Sequence, residues 1–121
     1  MSTLNVANVT DGTTTVGTSF VVNGCAKAYV FFDGTAGTIA PSDGGSQNVS
    51  SLTDDGTGNY QINFTNSMQS NANYAIFALS NAYHTADGGK VAANANMNTF
   101  GSGHSLEDAA RCSFQTIGDL A

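Results

Sequence analysis

A chain of 121 residues is long enough to bury one real core and too short for two domains. Three basic residues, Lys27, Lys90 and Arg111, stand against nine acidic ones for a net charge of −6. That balance argues against nucleic acid, where phosphate neutralisation dominates affinity, and against an anionic membrane surface.

The pattern then reads, in chain order, as short strands between turns. Residues 1–12 form an N-terminal arm or first strand (strand at 4–9), and residues 13–121 the body of the domain. Strands are predicted at 14–22, 26–33, 47–53, 60–66, 73–80, 90–97 and 111–117. The connections carry the punctuation: "TDGT", "VNG", the long "DGTAGTIAPSDGG" with the only proline, Pro41, then "TDDGTG", "TADGG" and "NTFGSGHS". In "GNYQINF", Tyr60, Ile62 and Phe64 share one side and Gln61, Asn63 and Thr65 take the other, the period of two that marks a half-buried strand. The Asp-Gly pair before it suits a tight hairpin. The single helix candidate is residues 105–111, with Ser105 as N-cap and Glu107 and Asp108 in the first turn. These spacings predict an all-β fold, a single antiparallel, jelly-roll-like β-sandwich of about eight strands with at most one short helix.

Two strands are apolar on both faces. Ala28, Val30 and Phe32 oppose Tyr29 and Phe31; Tyr74, Ile76 and Ala78 oppose Ala75, Phe77 and Leu79. Such a strand is either covered on both sides or pressed against a partner chain. Cys25 and Cys112 could form one disulfide, but synthesis in a cytoplasm, expected from the absence of a signal-like start, favours two buried free thiols. No run approaches the ~20 apolar residues of a membrane helix.

Reaction chemistry has little to work with. His84 and His104 lie in polar loops with only Asp87 near them in sequence, fewer ligands than a metal site takes. Asp54, Asp55 and Gly56 lack calcium-loop spacing and suit a turn. "GSGHSLE" lacks the second glycine of a nucleophile elbow. No enzyme, cofactor or metal is expected.

The wording of the chain resembles a known family. "AKAYVFFDGT", "NVSSLTDDGTGNYQINFTNSM" and "NANYAIFA", with the opening "MSTLNVANVTDGTTTVGTSFVVNG" and the closing "FQTIGDLA", resemble the distal β-sandwich module of phage tail fibres and tailspikes. Tyr29 stands where that family usually has Trp, and "GTIAPSDGGSQ" replaces a shorter arginine-bearing loop. The resemblance implies a virion protein made in the bacterial host cytoplasm, associating as a homotrimer. With no fibre shaft in the chain and the module starting at Met1, it further implies a small capsid cement (decoration) protein on the outer shell, its partners being its own copies and the major capsid protein. Leu4, Val6, Val9, Tyr29, Phe31, Phe77 and Leu79 are then the candidate contacts to capsid or copy. The alternative is a tail-fibre or tailspike tip that binds a host surface receptor or glycan through Tyr83, His84 and Asp87.

Overall fold

Ten strands and one short helix follow from this pattern in a computed structural model, which describes residues 2–3 and 5–121, the side chains of 19, 20, 23 and 43–44 excepted. The candidate contact Leu4 lies outside the described residues. Near the N-terminus, β1 (Asn8–Thr10) and β2 (Thr15–Gly17) form a hairpin and α1 (Thr18–Gly24) follows. The boundary at residue 12 falls in the turn of this hairpin, where the Asp11 carboxylate accepts the amides of Thr13 and Thr14 at 3.0 and 2.8 Å.

The body is a β-sandwich of two four-stranded antiparallel sheets. Sheet I has the order β4 (Pro41–Gln47), β3 (Ala26–Phe32), β10 (Cys112–Gly118), β7 (Tyr74–Ser80). Sheet II has the order β5 (Val49–Asp54), β6 (Asn59–Phe64), β9 (Asn94–Phe100), β8 (His84–Lys90). The chain crosses between sheets at Asn48, which has φ 55°. Asn tolerates that left-handed conformation better than most residues, and its side chain fastens the corner by accepting the Asn66 amide at 2.7 Å.

The alternating residues fill the space between the sheets. Tyr60 and Ile62 are fully buried and Phe64 nearly so, as the pattern of "GNYQINF" requires. They meet Val30, Phe32, Phe114 and Tyr74 from sheet I. Phe32 packs edge-on against Tyr60 with centroids 5.2 Å apart, and Phe64 does the same against Tyr74 at 5.9 Å. Polar tips of the two tyrosines are satisfied at the rims. Tyr60 Oη donates to Asp108 (3.1 Å) and accepts the Ala109 amide (3.3 Å), while Tyr74 Oη donates to the Val91 carbonyl (2.8 Å). Gly34 is required beside Tyr60, since a Cβ there would stand 2.3 Å from Tyr60 Oη and 2.8 Å from the Ala109 carbonyl.

Several expectations are corrected, among them the strand predicted at 90–97, which is the end of β8, a turn at residues 91–93 and the start of β9. The predicted strand at 14–22 stops at Gly17 and becomes α1, although Val21 and Val22 disfavour helix. Tertiary contacts override that preference: Thr18 donates its amide to the Ala7 carbonyl (2.9 Å) and its hydroxyl to that of Val6 (2.9 Å), and the Lys27 ammonium bonds the Val22 carbonyl. Residues 105–111 form no helix, because their polar groups turn sideways to the sandwich. Asp108 accepts the Gly58 amide at 2.7 Å, and the Glu107 amide bonds the Thr99 carbonyl at 3.0 Å. Two stretches read as loops, around Pro41 and across "TADGG", are strands β4 and β8. Finally, both cysteines are free, but only Cys112 is buried and Cys25 is exposed.

Candidate contact surface

Inward side chains of sheet I build the core, so the outward set is fixed by the same alternation. On β3 it includes Tyr29 and Phe31, on β7 Phe77 and Leu79, and on the intervening β10 Ser113 and Gln115. Register aligns them in two rows across the sheet, Phe31–Ser113–Leu79 and Tyr29–Gln115–Phe77. Large side chains stand on the outer strands and small or polar ones on the middle strand, leaving a trough of about 420 Å³. Since neighbouring strands are ~4.8 Å apart, the walls rise from backbones roughly 10 Å apart.

The walls are wet. Phe31 is 50% exposed, Phe77 55% and Leu79 73%. Tyr29 and Phe31 lean together with centroids 6.0 Å apart. Among the described side chains no acidic residue lines the trough, and Arg111, one of the chain's three cations, sits at its end beside Phe31 and Leu79. Behind the floor, burial pushes the Cys112 thiol up to about 11, so it is a neutral core group at ordinary pH.

Of the seven candidate contacts, four therefore form one surface. Val6 and Val9 are exposed too, but on the N-terminal hairpin, where Val9 pairs with Val16. Sequence reading missed Ser113, Gln115 and Arg111, because a contact surface was sought only among apolar residues. The signal was there in "RCSFQTIG", whose alternation puts Ser113 and Gln115 on the side opposite Cys112, Phe114 and Thr116.

The second candidate set is split. Tyr83 is 72% exposed. His84, next to it, stacks flat on Phe100 at 4.5 Å and 8°, with His104 at 5.1 Å. Asp87 is not with them. It shares the inner register row of Met97, accepts the Gly89 amide at 2.7 Å, and adds its charge to the burial that pushes Tyr74 up to about 12. Among the described residues no group of three or more His, Cys, Asp or Glu is placed to hold a metal.

No protein-family model, curated protein or solved structure matches the chain.

Proposed function

We propose that this chain is a structural protein of a phage particle, a homotrimer that decorates the outer capsid and reinforces the shell. The trough of sheet I carries the reading. A solvated protein gains nothing by holding Phe31, Phe77 and Leu79 in water on one sheet face, whereas moving each such side chain from water to full burial contributes about 1.5–3 kcal/mol. A surface of this kind marks a protein partner. The fibre-module resemblance of the strands that bear it supplies the particle and the trimer, and a closed trimer gripping several shell subunits would multiply weak contacts.

Sedimentation equilibrium tests the assembly. The expected mass is about 37 kDa, three times the 12.3 kDa chain. Quantitative mass spectrometry of purified particles tests the location, with hundreds of copies expected for a shell protein. A handful of copies would favour the other reading, a tail-tip module. The observation on that side is the exposed Tyr83 beside the stacked His84 and Phe100, ring faces of the kind that a host glycan could pack on.

A further inference from the structure

Among the described residues two apolar surfaces of this chain lack partners. The first is the trough of sheet I. The second is the hairpin β1–β2, where Val9 and Val16 sit directly opposite each other, 46% and 36% exposed, as a two-valine knob. Among the described residues the hairpin's only hydrogen bonds beyond itself are with Thr18. It stands away from the sandwich. The surface area reflects this: the chain exposes 7102 Å², where a compact monomer of 12.3 kDa exposes roughly 6,100 Å². The surplus, roughly 1,000 Å², is on the scale of the ~800 Å² each partner gives to a stable interface.

We infer that the hairpin of one copy lies in the sheet I trough of the next, so that the contact is head-to-tail and closes into a ring. This rests on the proposed trimer and names how it is held. Charges then fall into place. Asp11 lies two residues beyond Val9, and Arg111 lies two residues beyond Ser113, so a knob seated on the Phe31–Ser113–Leu79 row brings the acid toward the cation. Asp11 is held ionised by the amides of Thr14 and Thr13, which lower its pKa. Among the described residues neither group has an ion-pair partner within its own chain. A head-to-tail contact between unlike surfaces makes a ring when its rotation closes, as a trimer requires.

Cross-linking decides it. In a Cys25→Ser background, one protein carries Val9→Cys and another Ser113→Cys; the two are mixed, allowed to exchange and oxidised. The expected product is a disulfide-linked pair containing one chain of each kind, formed in the mixture and in neither variant alone. A trimer that never yields this pair overturns the inference and leaves the proposed trimer standing. A monomer at every concentration overturns both. Putting both substitutions in one chain tests folding back: an intrachain disulfide at high dilution assigns the hairpin to its own trough and overturns the inference. Independently, Asp11→Arg and Arg111→Asp should each weaken association about two- to fivefold, with recovery in the double variant. Equal loss in the double and the singles would remove the pairing of these charges and the alignment built on it.

Discussion

The two outer faces of the sandwich have the same geometry and opposite chemistry. On sheet II the outward rows are Asn59 beside Asn98, Gln61 beside Asn96 and Asn63 beside Asn94, a double file of amides. They are half-buried and partly satisfy one another: Gln61 donates to Asn63 at 2.7 Å, and Asn63 donates to the hydroxyls of Ser51 and Thr53 at 3.1 Å each. On sheet I the equivalent positions of β3 and β7 are aromatic or aliphatic, flanking Ser113 and Gln115, and Phe31, Phe77 and Leu79 stand in water. Hydrogen bonds within the chain satisfy part of one face, although Asn98 Oδ1 is buried there without a partner, whereas the apolar groups of the other face have no such local means. Exposure alone does not mark a contact surface; the absence of any local means to satisfy the exposed groups does.

Both faces share one interior, so the largest effect is expected there. Phe64 of sheet II touches Tyr74 and Phe114 of sheet I, and Phe64→Ala should cost about 3–5 kcal/mol, removing both faces together. Thermal melting reads this, and a wild-type midpoint would break the assignment of the strand. Alkaline pH is a gentler way to loosen the same interior. Burial pushes both Tyr60 and Tyr74 from 10 up to about 12. Because the folded pKa values are raised, the folded state keeps these protons longer than the unfolded chain. Their contribution is complete below pH 10 and is lost as pH rises toward 12. Denaturant midpoints across that window should fall, and less steeply in Tyr74→Phe.

Changing outward residues only separates the roles of the two faces. Phe77→Ser with Leu79→Ser should leave monomer stability within about 0.5 kcal/mol for each site and abolish self-association, whereas Asn96→Thr on sheet II should leave the assembly intact. Loss of association from both changes would mean that the faces do not differ in role. The smallest effect is on labelling. A thiol reagent at pH 8 should modify Cys25 alone in the native protein, and Cys112 only after denaturation, since the latter is a neutral thiol sealed behind the trough. Prompt reaction of both would show that sheet I is looser than its register implies.

The central strands β3, β6 and β10 were legible in the sequence, as were the edge strands β5 and β7, but the edge strands β4 and β8 were not. "AKAYVFF", "NYQINF" and "CSFQTIG" declare themselves because each must be apolar toward the core at every second residue. The two strands that read as loops, β4 and β8, are both sheet edges. Pro41 opens β4, where an edge strand can spare its missing N–H. Asp87, Gly88 and Gly89 interrupt β8 with a register shift between Asp87 and Gly89. Prolines, glycines, charges and bulges are how sheets discourage further pairing, and they are also the residues of turns. Composition alone cannot separate the two. The trough was half legible: its walls followed from double-sided alternation, but pairing β3 and β7 across β10 requires long-range topology that no local pattern contains.

The place of β10 in sheet I has a consequence for synthesis. It is the last strand in chain order, yet it lies between β3 and β7 and pairs with both over its whole length. Phe32 must wait for Cys112, 80 positions later, before the sheet can close. At 5–20 residues per second that is roughly 4–16 s for β3 and, for β7, whose Ser80 precedes Cys112 by 32 positions, roughly 2–6 s without the strand that lies between them. Both strands are therefore exposed to aggregation and to chaperones until β10 emerges, and a stop codon before residue 112 would leave β3 paired only to β4 and β7 without a neighbour in the sheet.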